Sequence, residues 1–269
     1  MEELRREVFV LSNLTLRLDK RDWDRVRALL EKLGFKGLPK DYVVWYLTGG
    51  SNHATLYFSG TLLIQGKRAK EVKDLILSSL DPSENVSVGC DESGKGDVFG
   101  PLVLCCAVIK PEYYKKVLSL NMKDCKRLSD EAVLKKAEVF SSFGEFKCRL
   151  VEPKELNELY ERKKNLNRIL DELYVGLLEE FLKRYPEGKF SVDAYSSRSP
   201  FDSRVSFIHK GEEELAVATA SVLARAEFLK WLKDRGLPKG SSKEAMALAR
   251  KIYRENKERA KESLKLFFL

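Results

Sequence analysis

The chain has 269 residues, of which 43% are hydrophobic and 33% are charged, and its formal net charge is +8. This apolar content suffices for one large core or two modest ones and excludes an intrinsically disordered chain. The longest apolar run, residues 102–109, is far shorter than the roughly 20 residues needed to span a bilayer. The charged first ten residues lack a signal-peptide pattern, so the sequence predicts a soluble, cytoplasmic protein.

The basic surplus lies at the two ends of the chain. Residues 1–80 and residues 243–269 each carry a net charge of +4, whereas residues 81–242 are neutral. A basic surplus is compatible with an anionic partner such as nucleic acid, but many basic proteins bind none. Charge alone therefore leaves the partner open.

The first 80 residues predict a small α+β domain. The expected elements, in chain order, are a strand at 5–18, a helix at 20–33, three strands within 41–65 and a helix at 68–80. Glycine-containing turns separate the three strands. We predict a first domain at 1–80 and a linker at 81–85.

Residues 86–269 predict a second domain of the α/β class, because strand and helix patterns mix throughout. The expected elements are strands at 86–90, 101–109, 147–153 and 189–195, an apolar helical stripe at 166–178, a long helix at 212–234 and a final basic helix. Ser241 and Glu244 match a capping box that would begin the final helix.

The cysteine pattern argues against cross-linking. The five cysteines are Cys90, Cys105, Cys106, Cys125 and Cys148, an odd number without a CxxC pair. A disulfide framework or a zinc site is not expected from this spacing, which favours a reducing compartment. We expect Cys105 and Cys106, which lie in an apolar run, to be small buried side chains.

A glycine-rich segment carries the most information about chemistry. Residues 89–95 nearly match a phosphate-binding P-loop, but Gly96 stands where Ser or Thr would hold Mg²⁺. Asp91 and Glu92 inside the segment would also repel the phosphates that the backbone N–H groups should bind. A P-loop hydrolase is therefore the weakest of the alternatives.

The same two carboxylates fit a metal site better. Asp91 and Glu92 follow an apolar strand, so their side chains should point to opposite faces. Magnesium prefers oxygen ligands and usually keeps several waters, which suits a group of acids. An isolated Asp-Glu pair is more often a solvated turn, but the flanking glycines and apolar strands make that interpretation weaker here. Glycines beside Lys95 would also allow a nucleic-acid backbone to approach closely.

The segment DESGKGDVFGPLVL resembles the first motif of the type 2 ribonucleases H, and of bacterial ribonuclease HIII in particular. The further matches, in family order, are DCKRLSD at 124–130, NLN at 165–167, SVDAY at 191–195, HKGEEELAVATASVLAR at 209–225 and LPKG at 237–240. The resemblance covers nearly the whole chain. It implies a ribonuclease H-like catalytic domain with a mixed sheet and flanking helices, preceded by a substrate-binding domain similar to the TATA-binding protein.

The resemblance also implies the catalytic and metal-binding residues. Four carboxylates carry over as Asp91, Glu92, Asp193 and Glu212, and the family uses two Mg²⁺ or Mn²⁺ ions. Asp91 would bridge the two ions, Asp193 and Glu212 would hold the ion that activates water, and Glu92 would hold the other. No covalent nucleophile is then needed.

The position of the fourth acid stays open. Glu212 directly follows the Lys-Gly pair and is preferred, but the stretch before Ser221 is one residue shorter than in the family, so Glu213 competes and Glu214 is a weaker choice. Asp97 could also be a metal ligand, although an aspartate that stabilises a turn is the commoner arrangement.

Substrate contacts are predicted in two groups. By resemblance, the backbone of Gly94, Lys95 and Gly96 would read the 2′-hydroxyl that distinguishes RNA from DNA, and Lys126 and Lys210 are candidate phosphate contacts. Aromatic residues of the first domain could add a flat surface, although burial is the commoner fate for each. These are Tyr42, Trp45, Tyr46, Tyr57 and Phe58.

The implied activity is endonucleolytic hydrolysis of the RNA strand of an RNA–DNA hybrid by a monomer with no obligatory protein partner. The nearest alternative is a ribonuclease HII-like enzyme that cuts at single ribonucleotides in duplex DNA. Lys95 between two glycines, where that enzyme usually has arginine, and the N-terminal extension both favour ribonuclease HIII. A non-catalytic nucleic-acid-binding protein is the alternative of another class.

Overall fold

The computed structural model describes residues 12–81, 85–122, 128–209, 211 and 214–269. Contacts divide the chain into two compact units. The first contains the described part of residues 1–82 together with residues 114–121, and the second contains the described part of residues 83–113 and 122–269. In the described ranges no helix is both long and apolar enough to cross a membrane.

The first unit is built on a five-stranded antiparallel sheet with strand order β1-β5-β4-β3-β2. Its strands are β1 (Ser12–Arg17), β2 (Lys36–Gly37), β3 (Trp45–Gly49), β4 (Asn52–Leu56) and β5 (Thr61–Gly66), and its helices are α1 (Trp23–Lys32), α2 (Ala69–Ser79) and α3 (Tyr114–Leu120).

One face of this sheet carries the core. In β5, Leu62 and Ile64 are fully buried, whereas Thr61, Leu63 and Gln65, which alternate with them, are only half-buried, as expected for a strand with one covered face. Val26 of α1 and Ile76 of α2 are also fully buried. The unit is thus the small α+β domain that the sequence predicts. Helix α3, which follows later in the chain, was not predicted to join it.

The second unit contains a mixed five-stranded sheet with strand order β10-β9-β6-β7-β8. Its strands are β6 (Ser87–Ser93), β7 (Leu102–Ile109), β8 (Glu145–Val151), β9 (Lys189–Asp193) and β10 (Val205–Ile208). Strand β6 pairs antiparallel with β7 and parallel with β9. The helices are α4 (Asp130–Ser141), α5 (Pro153–Lys163), α6 (Leu166–Arg184), α7 (Leu215–Arg235), α8 (Lys243–Glu255) and α9 (Lys257–Lys261).

Helices cover this sheet on both faces. The main core joins α6 to the apolar side chains of β6, β7 and β9, with Tyr174 and Phe181 among its buried members. Helix α7 packs across β6 and β7. A Cβ on Gly89 would collide with the backbone of Val217, so the glycine allows α7 to approach β6 closely. This arrangement is the predicted ribonuclease H-like α/β domain.

The expectation of unpaired cysteines is wrong for four of the five. Disulfides join Cys90 to Cys106 and Cys105 to Cys148. Each pair consists of direct partners on neighbouring antiparallel strands, with 4.1 Å between their Cα atoms. Sequence spacing could not reveal this, because the pairing depends on strand register. Cys125 lies outside the described residues.

The N-terminal cap of α8 lies one residue later than predicted, and the predicted capping box is wrong because Ala245, not a glutamate, stands three residues after the cap. Ser242, not Ser241, precedes α8, and its hydroxyl accepts the backbone N–H of Ala245 at 3.2 Å. The hydroxyl of Ser241 instead donates to the carbonyl oxygen of Gly96 at 2.8 Å. Either serine has a hydroxyl that can cap a helix. Because the hydroxyl of Ser241 bonds to Gly96, Ser242 is the residue that caps α8.

Candidate active site

Two of the predicted aspartates lie side by side at the ends of neighbouring strands. Cys90 of β6 and Val192 of β9 are Cα partners in a parallel pair, and Asp91 and Asp193 are the residues that follow them. Neighbouring strands lie about 4.8 Å apart, and residues in register point to the same face. Both aspartates therefore face the side of the sheet that α7 covers.

Asp91 is surrounded by groups that disfavour its charge. Burial raises the pKa of Asp91 to about 8, and the negative charges of Glu92 and Asp193 act in the same direction. Hydrogen bonds from the Ser221 side chain and from the Glu92 backbone N–H, the latter at 2.7 Å, oppose the shift. In the absence of a cation this carboxyl group holds its proton at neutral pH.

Glu92 points to the opposite face, toward α6. The hydroxyl of Tyr174 donates to Oε2 of Glu92 at 2.6 Å, and Nζ of Lys95 lies 3.9 Å from its Oε1. Burial and the charge of Glu92 raise the pKa of Tyr174 well above its usual value, so the phenol is a donor at all physiological pH. The Tyr174 ring stacks on Tyr195 with 5.4 Å between centroids. The carboxylate is therefore oriented by a buried, stacked phenol.

Asp193 is oriented by the backbone that follows β10. The N–H of Gly211 donates to Oδ1 of Asp193 at 2.7 Å. A Cβ on Gly211 would lie 2.9 Å from the same oxygen and 3.0 Å from Val217, so only glycine fits this approach comfortably. Within the Lys-Gly-acid motif, the backbone N–H of the glycine is thus the group that contacts the site.

The two glycines beside Lys95 serve different purposes. Gly94 has φ +87°, and a Cβ there would meet the carbonyl oxygen of Pro101 and the ring of Phe228. Gly94 is therefore required by the packing of the chain itself. Gly96 has open space where its side chain would be, which leaves room for a ligand. The ammonium group of Lys95 donates to the carbonyl oxygen of Tyr195 at 3.2 Å.

Asp97 stabilises the turn. Its Oδ1 accepts the backbone N–H of Gly240, and its own N–H donates to the carbonyl oxygen of Gly94 at 3.3 Å. The first contact joins the loop to the segment that precedes α8, and the second closes the turn within the loop. The geometry supports the interpretation of Asp97 as a turn residue.

Four of the predicted site residues lie outside the described residues. These are Lys126, Lys210, Glu212 and its competitor Glu213. Glu214 is described and precedes α7 as its N-terminal capping residue, with no hydrogen bond from its side chain to the first turn. The choice between Glu212 and Glu213 stays as the sequence left it.

Sequence reasoning missed three residues of the site. Tyr174 and Ser221 contact the carboxylates directly, and Tyr195 supports Tyr174 while its hydroxyl donates to Asp171 at 2.7 Å. Tyr174 fell within a predicted apolar stripe, where an aromatic residue signals only packing. Its contact with Glu92 depends on how α6 crosses the sheet.

The acidic group fits divalent cations in its chemistry. Carboxylates whose mutual repulsion raises a pKa are neutralised by a hard cation with oxygen ligands. No three Asp, Glu, His or Cys side chains within the described ranges form a complete metal-binding group. Asp91 and Asp193 face α7, whereas Glu92 faces α6. A bound ion or a further ligand is therefore needed to complete one metal-binding group from these carboxylates.

Comparison with known proteins agrees with this geometry. The family model of ribonuclease HII matches residues 88–264. Ribonuclease HIII of Aquifex aeolicus is 37% identical over 251 residues, which is 91% of this chain and 96% of that protein. Ribonuclease HIII of Protochlamydia amoebophila is 28% identical and covers 88% of each chain.

Solved structures show the same fold. The crystal structure of Aquifex aeolicus RNase H3 matches with a TM-score of 0.62 at 36% identity, covering 95% of this chain and all of that one. The structure of Bst-RNase HIII in complex with Mn²⁺ matches with a TM-score of 0.65 at 23% identity and covers 95% of this chain and 96% of that one.

A mixed sheet flanked by helices, with carboxylates gathered at the ends of its central strands, defines a metal-dependent nuclease of ribonuclease H-like architecture. The family model matches residues 88–264, and the Aquifex aeolicus relative covers 91% of the chain. The chain belongs to the ribonuclease HII family of type 2 ribonucleases H and resembles its ribonuclease HIII members.

Proposed function

We propose that this ribonuclease cleaves the RNA strand of RNA–DNA hybrids and uses two divalent ions, Mg²⁺ or Mn²⁺. Asp91, Glu92 and Asp193 would hold the ions together with Glu212 as the fourth carboxylate. The observation that carries the proposal is the adjacency of Asp91 and Asp193 on parallel strands, where burial and like charge raise the pKa of Asp91 to about 8.

Bound divalent ions would supply the Lewis acidity that lowers the pKa of the attacking water and stabilises charge on the departing oxygen. The chain supplies orientation. Tyr174 holds Glu92, the N–H of Gly211 holds Asp193, and Ser221 donates to Asp91. Because each carboxylate is fixed by a donor on a different element, the ligands need little reorganisation when substrate binds.

The loop at 94–96 would distinguish RNA from DNA. Gly96 is exposed and has open space at its Cβ position, so a nucleic-acid strand could approach the backbone closely. Only a group that contacts the 2′-hydroxyl can tell the two strands apart at one position. We assign that role to the backbone of Gly94, Lys95 and Gly96, and phosphate contacts to Lys126 and Lys210.

The first unit would contribute to hybrid affinity, and neutralisation of phosphates would make that affinity fall with added salt. Since hybrids form inside cells, the enzyme would act in the cytoplasm, and we propose that it does so as a monomer.

The deciding experiment compares two labelled substrates, an RNA–DNA hybrid and a DNA duplex with one ribonucleotide, each with Mg²⁺ and with Mn²⁺. We expect metal-dependent cleavage at several positions of the RNA strand of the hybrid and weak cleavage of the second substrate. Efficient cutting 5′ of the single ribonucleotide would instead support ribonuclease HII-like activity. Absence of metal-dependent cleavage of either substrate would overturn the proposal.

A further inference from the structure

The chain that follows the 94–96 loop is held by the segment before α8. The hydroxyl of Ser241 donates to the carbonyl oxygen of Gly96 at 2.8 Å, and the N–H of Val98 donates to the carbonyl oxygen of Gly240 at 3.3 Å. Gly240 in turn donates its N–H to the carboxylate of Asp97. These contacts join two segments more than 140 residues apart.

The last residues of the described chain hold the other side of the same loop. The N–H of Lys265 donates to the carbonyl oxygen of Val98 at 2.9 Å, and the N–H of Gly100 donates to the carbonyl oxygen of Ser263 at 3.0 Å. Phe99 and Leu264 form an antiparallel bridge between these two hydrogen bonds. The segment at 263–265 is therefore joined to the chain after the loop by a single antiparallel bridge and two flanking hydrogen bonds.

Lys265 is the unusual member of this segment because its side chain is fully buried. Its ammonium group donates to the carbonyl oxygens of Asp97 at 2.9 Å and of Phe99 at 3.0 Å, and lies 5.8 Å from the ring centre of Phe228. Burial lowers the pKa of Lys265 to about 7, against the opposing charge of Asp97. A buried amine is costly, and an apolar side chain of similar volume would fill the space without that cost.

Helix α5 holds the backbone on either side of Lys265. The side chain of Asn157 on α5 donates to the carbonyl oxygen of Leu264 and accepts the N–H of Leu266, each at 2.8 Å. Phe267 stacks on Tyr160 of the same helix with 4.2 Å between ring centroids. The ammonium group therefore projects from an anchored segment into the base of the loop.

We propose that Lys265 is a positioning residue for the 94–96 loop. A peptide group is planar, so fixing the carbonyl oxygens of Asp97 and Phe99 also fixes the N–H groups of Val98 and Gly100. With the peptides after Gly96 held, the exposed backbone of Gly96 has a defined direction toward substrate. The inference rests on the proposed substrate role of that loop and adds the residue that holds it.

The first test is Lys265→Met, which keeps an unbranched side chain of similar length and removes the donors. We expect the KM for an RNA–DNA hybrid to rise about 10-fold while kcat stays within about 2-fold, because the loop meets substrate and the carboxylates are unchanged. Lys261→Met is the matched control. It removes an ammonium group from α9, just before the segment at 263–265, but Lys261 pairs with Glu258 at 2.8 Å at the surface, so its KM should stay within about 2-fold.

Ser241→Ala tests the other side of the loop without disturbing a buried group. We expect it to raise KM about 3-fold, since water can replace part of its hydrogen bond to Gly96. It also decides the question if Lys265→Met does not fold. A KM equal to that of the unaltered enzyme in Lys265→Met, or in Ser241→Ala if Lys265→Met does not fold, would overturn the inference even if melting temperatures fall.

A readout independent of activity separates this inference from the proposed function. Amide hydrogen exchange of residues 94–100 in the full chain without substrate should be at least about 10-fold faster in Lys265→Met than in Lys261→Met. Equal exchange would overturn the positioning role. If the unaltered enzyme does not cleave hybrids but exchange differs as expected, the proposed function fails and the structural role of Lys265 stands.

Discussion

At the scale of single residues, folding and ion binding make opposite demands on the charge of Asp91. Burial and two neighbouring carboxylates oppose its charge, whereas ion binding requires that charge. Asp91→Asn should therefore lower hybrid cleavage by at least about 1,000-fold and raise the melting temperature of the metal-free protein at pH 8. Cleavage rates and melting curves measure the two effects.

Asp97→Asn is the matched control for that substitution. It keeps an oxygen that can accept the N–H of Gly240, and it removes a charge from the same loop. Cleavage within about 3-fold of the unaltered enzyme is expected. Equal losses in the two variants would contradict the division of roles between Asp91 and Asp97.

The raised pKa of Asp91 also makes ion binding pH-dependent. In the metal-free fold this group keeps its proton up to about pH 8, whereas an unfolded aspartate loses it near pH 4. The native state then binds more protons, so this group lowers stability progressively as pH rises from about 4 to about 8. A divalent ion replaces the proton and removes that loss.

We therefore expect the increase in melting temperature produced by Mg²⁺ to grow between pH 6 and pH 8. Melting curves with and without the ion at three pH values measure it, and Asp91→Asn should show a smaller dependence. An increase that is the same at every pH would contradict the assignment of Asp91 as a ligand.

Tyr174 and Tyr195 form a matched pair for testing carboxylate orientation. Their rings stack, but the Tyr174 hydroxyl donates to Glu92 and the Tyr195 hydroxyl donates to Asp171. Tyr174→Phe should lower kcat about 10-fold with little change in KM, whereas Tyr195→Phe should change kcat by less than about 3-fold. Steady-state kinetics on a hybrid would distinguish them, and equal effects would show that only packing matters.

At the scale of elements, the central sheet is cross-linked on both faces. The Cys90–Cys106 bridge lies among the core residues on the α6 side. Because neighbouring residues of a strand alternate in direction, Cys105–Cys148 lies on the α7 side. The loops they close have sequence separations of 16 and 43. Chain entropy alone would make each bridge worth about 3–4 kcal/mol.

We expect one thiol per chain, that of Cys125, in a titration of the denatured oxidised protein, and five after reduction. Reduction of both bridges should lower the free energy of unfolding by about 4–8 kcal/mol. The double variant Cys106→Ala, Cys148→Ala should show no further shift with reductant. Five titratable thiols in carefully unreduced protein would contradict the cross-links.

At the scale of the whole molecule, the first unit offers few aromatic side chains to a ligand. Of the five that the sequence suggested, Tyr42 is 89% exposed and Phe58 is 70% exposed, whereas Trp45 is only 6% exposed. Tyr46 is half-buried and hydrogen-bonds His53 at 2.8 Å. Only Tyr42 and Phe58 are exposed enough to be primary candidates for contact with the hybrid.

Replacing Tyr42 and Phe58 together with alanine should raise the KM for a hybrid about 3- to 10-fold and leave kcat unchanged, since the catalytic unit is untouched. Leu75→Ala, an exposed apolar residue on α2 of the same unit, is the control. Deleting residues 1–80 should also weaken hybrid binding more than catalysis, but it would expose the buried side chains of α3, such as Val117. The point variants are the cleaner test, and an unchanged KM would remove the binding role.

Local patterns in the sequence predicted most of the strands and the longer helices, and they marked Asp91 and Glu92 as candidate metal ligands, whereas Asp193 and Glu212 were implied by the resemblance of ordered motifs to a known family. Periodicity and turn chemistry act between residues close in the chain, so they can indicate elements but not their partners. Tertiary structure alone decided that Asp193 lies beside Asp91, that Tyr174 reaches Glu92, that the cysteines pair, and that Lys265 is buried beneath the loop. Each of these depends on strand register or helix packing between segments far apart, which no local pattern encodes.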